Sequence, residues 1–372
     1  MTKVFYDGCI FYKQRHGGVS VVFKEIFKRI GKCRDLHLVC TVPCPNSHPD
    51  LYGIHKLYIP FLIPGKISSV LWAICNEIYL RIYNPDIFHS TFFSTPRLPH
   101  HYKTVLTIHD MIYELFSEKF NTMQDRRFVK NKKKQIYSAD AIICVSESTQ
   151  KDVLRFYPDI DAEKLVVIHN GIDPSFLTPV DPVEKNRFQS QLGLEKPFLL
   201  YIGRVNDPYK NFDLLLDTYT SRDEIQKRFH LVIVHSDDLN ERQKETIASM
   251  DGRIKCYSDI TRRQLKLFYS CCSEFIYPSR YEGFGLPVLE AMACEAPVVC
   301  SNALSLLEIA GDAALFFDPL SEEDLGNSIL QIADSPRTRE DLQNKGRKNL
   351  ERFSWEHSVE ALEKLYIKLH ST

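Results

Sequence analysis

A chain of 372 residues, 44% apolar and 26% charged, has the balance of a soluble globular protein, which excludes a disordered or fibrous chain. The length exceeds the roughly 250–300 residues that a single hydrophobic core serves, so two domains are expected. A formal net charge of −1 gives no global field for nucleic acid, and any anionic ligand must be held by local groups.

The first half alternates short β-rich runs with helical patterns. KVFY at 3–6, LHLVCTV at 36–42, DIFHS at 86–90, KTVLTIH at 103–109 and DAIICVS at 140–146 read as strands, with helices over Val19–Ile30 and Ser68–Ile82. These runs are apolar throughout, as strands covered by helices on both faces must be, which predicts a parallel α/β sheet. After LVVIHNGIDPSFL (165–177), whose His-Asn-Gly marks a turn, comes the polar stretch TPVDPVEKN, and then the alternation restarts. PFLLYIG (197–203), FHLVIVH (229–235), RIKCY (253–257), EFIYP (274–278), APVVC (296–300) and AALFF (313–317) are the strands of a second sheet. A final helix is expected from Trp355 to His370.

No apolar run reaches the roughly 20 residues of a membrane helix; Ser68–Ile82 is interrupted by Asn76, Glu77 and Arg81. The 11 cysteines form no C-x-x-C pair and read as buried thiols of a cytoplasmic protein. The basic run DRRFVKNKKK (125–134) supplies Arg126, Arg127, Lys130, Lys132, Lys133 and Lys134. It is either a solvated helix face or a patch for an anionic acceptor or the inner face of a membrane.

The stretch SRYEGFGLPVLEAMACEAPVV (279–299) carries the chemistry. Pro287 suits the first turn of a helix, where its missing N–H would have no partner. Gly283 and Gly285 then form the turn that aims the N-terminus of that helix outward, a seat for a diphosphate. Glu290 is read in the first turn of the same helix, where it either complements the dipole or accepts both hydroxyls of a ribose. Two carboxylates, Glu282 and Glu290, beside a diphosphate demand cations. Arg204 and Lys210 in YIGRVNDPYKNFDLLL (201–216) can supply them from another carboxyl-end loop of the same sheet. DID at 159–161 offers a D-x-D metal pair, but its polar connection YPDIDAEK reads as a solvated loop. His89 at a strand end is a candidate lining residue.

The segments EGFGLPVLEAMACEAPVV and GRVNDPYKN closely resemble the donor domain of retaining GT-B glycosyltransferases of family 4. HGGVSVVFKEI (16–26), TIHDMIYELF (107–116), VSESTQKDV (145–153) and VIHNGID (167–173) extend the resemblance through the first half in the same order. The fold it implies is α/β, two Rossmann-like domains facing each other across a cleft: residues 1–178 on the acceptor side, 179–354 for the nucleotide-sugar, and 355–372 as a helix returning to the first domain.

Carried over residue by residue, the resemblance makes Arg204 and Lys210 the basic pair at the donor diphosphate and Glu290 the ribose ligand. Glu282 becomes the contact to the transferred sugar, with backbone N–H groups of Gly283, Phe284 and Gly285, and Leu286 beside them. Gly17 and Gly18 become the loop over the phosphates, and His109, followed by Asp110, the histidine at the donor sugar. Ser258 and Ile260 fall at the base pocket. Five residues separate Arg204 from Lys210 where the commoner spacing has four, which predicts a bulged loop. The implied activity is a metal-independent hexosyl transfer with retention and without a cofactor. The donor is a nucleotide-diphosphate sugar, GDP-linked mannose favoured over a UDP-linked sugar, and the acceptor a glycan or lipid-linked saccharide. An epimerase of the same architecture and a non-catalytic sugar-nucleotide or glycan-binding protein are the alternatives.

Overall fold

The computed structural model describes residues 1–13, 17–42, 54–58, 66–94 and 101–371; His16 of the expected glycine loop lies outside these. The chain forms two compact units, Met1–Gly171 with Ser354–Thr372, and Ile172–Phe353.

Seven parallel strands build the first sheet: β1 Thr2–Tyr6, β2 Leu36–Val42, β3 His55–Tyr58, β4 Ile87–Ser90, β5 Lys103–Ile108, β6 Ala141–Cys144 and β7 Leu165–Val167, in the order β3-β2-β1-β4-β5-β6-β7. The five strands named from the sequence are present, β7 opens the stretch LVVIHNGIDPSFL, and β3 is an addition. Its sequence HKLY lacks the apolar run of the inner strands because it is an edge strand, paired on one side to β2. In the register Phe88↔Thr104 and Ser90↔Leu106, these four residues point to one face of the sheet, while His89 and Val105 point to the other.

The helix Trp355–Ser371 packs in this first unit against the helix Gly18–Ile30 and strands β1 and β4. The Tyr366 hydroxyl lies 2.6 Å from both the Tyr6 hydroxyl and His89 Nδ1. Arg29 lies 2.8 Å from Glu356, whose carboxyl it holds down at about 2. Gly171 makes this junction possible. A Cβ there would stand 2.3 Å from the Trp355 nitrogen, so the close approach requires glycine.

Six parallel strands build the second sheet: β8 Phe198–Gly203, β9 His230–His235, β10 Ile254–Tyr257, β11 Glu274–Tyr277, β12 Val298–Ser301 and β13 Ala314–Phe317, in the order β10-β9-β8-β11-β12-β13. The boundary between units falls seven residues before the one expected at 178/179. Residues 173–176 are bound into the second unit: Asp173 pairs with Arg262 at 2.7 Å, the Ser175 carbonyl accepts from Lys266 at 2.6 Å, and Phe176 lies edge-on to Tyr269. Among the described residues no helix is long and apolar enough to cross a membrane.

Candidate active site

In the second sheet, strand order reverses between β8 and β11, and ligands of open α/β sheets bind outside the carboxyl ends at such a point. The loop after β8 is held from below. The Tyr201 hydroxyl donates to the Arg204 carbonyl at 2.8 Å, and the Asp237 carboxylate accepts the N–H groups of Val205 and Asn206 at 2.8 and 3.0 Å. The five-residue spacing closes as a turn, with Lys210 N–H donating to the Asp207 carbonyl at 2.9 Å.

That turn directs Lys210 onto the neighbouring loop. Its Nζ lies 2.7 Å from Glu282 Oε1 and donates to the Tyr277 hydroxyl at 3.1 Å, with the rings of Tyr209 and Tyr277 5.4 and 5.3 Å away. Burial is the largest single influence and opposes the ammonium, but the charge and hydrogen bond of Glu282, with Tyr209 and Tyr201, together outweigh it and hold Lys210 above its ordinary pKa. Arg204 differs: its side chain is 58% exposed and lies 3.2 Å from Asp207. The structure therefore brings Lys210 and Glu282 together and leaves Arg204 in solvent at the same loop.

Asn211 locks the two loops to a third. It adopts the left-handed conformation at φ 56, which asparagine tolerates, and its amide donates to the carbonyls of Pro278 and Pro319 at 3.1 and 2.9 Å. Arg280 N–H donates to the Tyr209 carbonyl at 2.7 Å, and Ser305 Oγ to the Glu282 carbonyl at 2.6 Å.

The glycine turn follows. Gly283 is buried, and Phe284, 5% exposed, turns its ring edge-on to Phe353, so it presents backbone and anchors the turn in the core. Gly285 has φ 107 and leads into the helix Leu286–Ala293. The first N–H groups of such a helix have no intrahelical acceptor. Glu290 does not lie in the first turn as expected; Leu286 and Pro287 open the helix, which places Glu290 one turn further on. Its carboxylate accepts from the Tyr269 hydroxyl at 3.1 Å, and burial pushes its pKa up to about 7 against the opposing pull of Arg262 and that hydroxyl. Ser258, exposed, and Ile260, half-buried, stand in the loop after β10, and between them Asp259 has φ 51.

In the first unit, Gly17 caps the helix Gly18–Ile30, and its carbonyl accepts from Ser20 Oγ at 2.9 Å. His109 follows β5 with the Phe23 ring edge-on 6.0 Å away. Its Nε2 is buried without a partner among the described residues, and burial, with help from Lys132, lowers its pKa to about 4, so the ring is neutral. Asp110 accepts the Ile112 N–H at 3.2 Å.

Two expectations are corrected here. His89 is a core residue, 1% exposed, with Nε2 2.8 Å from Thr107 Oγ1, and it lines no surface. Lys132 is not on the basic face: it is 1% exposed, 3.0 Å from Glu114, and donates to the Asp110 carbonyl at 2.8 Å. In the D-x-D stretch, Asp161 caps the short turn Ala162–Lys164.

Tyr269 and Tyr277 are the site residues that sequence reasoning missed. In KLFYS and EFIYP each tyrosine reads as another core aromatic, and only the fold shows their hydroxyls meeting Glu290 and Lys210.

Two doubly wound parallel sheets in one chain, the second with a cation and a carboxylate paired at its switch point, define the GT-B class of glycosyltransferases. The family description "Glycosyl transferases group 1" matches residues 182–349, and "Glycosyltransferase Family 4" matches residues 16–176. The chain is 31% identical over 285 residues to the O-antigen chain mannosyltransferase B of Escherichia coli, covering 75% of this chain and 73% of that one. It is 27% identical over 268 residues to the serotype-specific mannosyltransferase WbdA of Escherichia coli, of which it spans 32%. The fold matches a sucrose-phosphate synthase from Thermosynechococcus elongatus at a TM-score of 0.78 and 19% identity, over 100% of both chains. The chain belongs to the family 4 glycosyltransferases.

Proposed function

We propose that this enzyme moves a hexose, mannose in preference, from a nucleotide-diphosphate sugar to a hydroxyl of a glycan or lipid-linked saccharide, with retention at the anomeric carbon and without a metal. GDP is the favoured carrier and UDP the alternative. The observation that carries the reading is Lys210, a cation held at the β8/β11 switch point against Glu282 and beside the start of the helix Leu286–Ala293. The names of its mannosyltransferase relatives support the choice of sugar.

In this mechanism the bond from the anomeric carbon to the diphosphate breaks as charge builds on the leaving phosphate. Lys210 and the backbone amides of Gly283, Phe284 and Gly285 meet that charge. One well-placed donor contributes about 3–4 kcal/mol to such a transition state. Arg204 joins them by leaving Asp207, an exposed pairing that costs about 1 kcal/mol or less to break. The acceptor hydroxyl bonds to the same face of the carbon and passes its proton to the departing phosphate oxygen. Glu282 contacts the sugar, Glu290 takes the ribose hydroxyls, Leu286 lies beside the phosphates, and Ser258 and Ile260 flank the base. His109 is assigned to the donor sugar, and Gly17, Gly18 and Asp110 to its phosphates and surroundings, on the family resemblance. The exposed cations Arg126, Arg127, Lys130, Lys133 and Lys134 are assigned to an anionic membrane surface at which a lipid-linked acceptor is met.

The test is transfer from GDP-mannose and UDP-glucose to a mannosyl acceptor in the presence of a chelator, with the product read by proton NMR. An axial anomeric linkage from GDP-mannose is the expected product. An inverted linkage defeats retention, and activity that returns only with manganese defeats metal independence. An epimerised nucleotide-sugar without transfer replaces the reading with an epimerase.

A further inference from the structure

Two helices cover one face of the first sheet. Leu80 of the helix Lys66–Tyr83 packs into a cluster with Phe5, Val39 and Phe88. Phe88 also lines a cavity of about 160 Å³ with Lys134 and Gln135 of the helix Met123–Ser138. Both helices therefore cover the Phe88 face, and both turn their other sides outward.

The outward sides have different chemistry. In Lys66–Tyr83, Trp72, Asn76 and Leu80 face the sheet at 5%, 7% and 4% exposure. Leu71, Ile74, Ile78 and Ile82 are 44%, 44%, 50% and 75% exposed. At 3.6 residues per turn these four occupy about a quarter of the helix circumference, a continuous apolar stripe. Branched aliphatic residues are among the most buried types, and three exposed isoleucines in register are not the scatter normal to a surface.

In Met123–Ser138 the stripe is basic. Arg126, Arg127, Lys130, Lys133 and Lys134 are exposed and fall within about a third of the circumference, with Met123 and Tyr137 in the same arc. Lys132, Gln135 and Ile136 face inward. The single acid of this helix, Asp125, is engaged by Thr122 in the capping box.

The geometry points to these two stripes as one docking surface for an anionic lipid bilayer, with Lys130, Lys134 and their neighbours at the headgroups and Leu71, Ile74, Ile78 and Ile82 inserted among the first acyl carbons. An apolar stripe with a basic one on the same face supplies both contributions to interfacial binding, buried apolar area and attraction to anionic lipids. The inference deepens the membrane contact proposed above and rests on that reading only for the lipid-linked acceptor.

The full chain is sedimented with vesicles of phosphatidylcholine alone and mixed with phosphatidylglycerol, beside I78D/I82D and K130E/K134E. GDP binding and thermal melting are measured on all three. The expected result is binding to the mixed vesicles only, weakened by salt and by about tenfold or more in each variant, with melting and GDP binding unchanged. No sedimentation of the unmodified chain overturns the inference. So does I78D/I82D that binds as the unmodified chain does, which would leave only the basic run at the membrane. Lowered melting with unchanged vesicle binding in I78D/I82D also overturns it, by showing that the stripe is covered by the chain itself. Vesicle binding with no GDP binding leaves this inference standing and removes the donor reading instead.

Discussion

The ammonium of Lys210 lies 2.7 Å from Glu282 Oε1, although 72 positions separate the two residues in the chain. Their side chains are 16% and 12% exposed, so the pair is neither a surface ion pair nor a fully desolvated one. Each partner compensates the charge of the other until a ligand arrives. Under the proposed mechanism an incoming diphosphate would compete with Glu282 for the same ammonium, which would couple donor binding to release of the carboxylate toward the sugar.

Lys210→Ala is accordingly expected to lose about 10²–10³ in transfer rate, the scale of one electrostatic donor at a reacting oxygen. It also leaves Glu282 unpaired, and stability falls by about 2 kcal/mol, below the range for fully buried pairs because of the residual exposure. In the double variant K210M/E282Q the stability loss is recovered while the rate stays low. Thermal melts and turnover on the two variants separate the contributions; equal rates for Lys210→Ala and the unmodified enzyme would falsify the assignment.

With Glu290 at the ribose, as proposed, donor binding is expected to depend on pH near neutrality. Burial raises its pKa to about 7, while the Tyr269 hydroxyl donates to the ionised form and pulls the value down. Only the carboxylate accepts two hydroxyls, so nucleotide affinity should rise as pH goes from about 6 to about 8. Removing the phenol in Tyr269→Phe removes stabilisation of the charged form, and the midpoint moves to higher pH. Calorimetric titration of GDP across this range checks both; a flat profile in the unmodified protein removes Glu290 from the ribose.

How much of this was legible depended on whether the signal was local. The inner strands carry uninterrupted apolar runs such as FLLYIG and HLVIVH and could be read directly, whereas β3, HKLY, is an edge strand with a charged residue and could not. The turn at Gly283 and Gly285 was visible because glycine, proline and spacing are sequence features. The place of Glu290 in its helix was not, because it depends on whether Leu286 or Pro287 opens the helix. Tyr269 and Tyr277 were invisible because a hydroxyl partner is a tertiary fact. Lys132 could have been separated from its run: it lies on the opposite side of a 3.6-residue helix from Lys130 and Lys134, a period that a count of charges ignores.

Glu274 makes the second unit sensitive to base. It is fully buried at the start of β11, neither carboxyl oxygen has a hydrogen-bond partner among the described residues, and burial raises its pKa to about 8. The unfolded chain ionises this group at its ordinary, lower pKa while the folded chain keeps the proton. Stability therefore declines as pH rises from about 4.5 to about 8, by at most about 1.4 kcal/mol for each unit, and levels off above. Glu274→Gln cannot ionise, so its melting temperature should exceed that of the unmodified protein at pH 8.5 and converge with it near pH 5. Parallel melts at the two values are sufficient, and an equal difference at both would show that the charge of Glu274 does not matter.

Gly285 tests whether the turn, rather than the helix alone, forms the phosphate seat. Its φ of 107 lies where a side chain is strained, and a Cβ would stand 2.7 Å from the Leu306 Cδ2 methyl, so Gly285→Ala strains the turn that leads into the helix and displaces the Leu306 side chain. The strain alone costs about 1–3 kcal/mol. Gly193 supplies the control, since its φ of 60 is also left-handed but nothing lies within 4 Å of the added carbon. Gly193→Ala should therefore lose stability through backbone strain with nucleotide affinity intact. Gly285→Ala should lose more than about tenfold in GDP affinity even at temperatures where circular dichroism shows it fully folded. Equal affinities for the two variants would mean that the amides of Gly283 to Gly285 do not hold the diphosphate, and that Lys210 and Arg204 bind it without them.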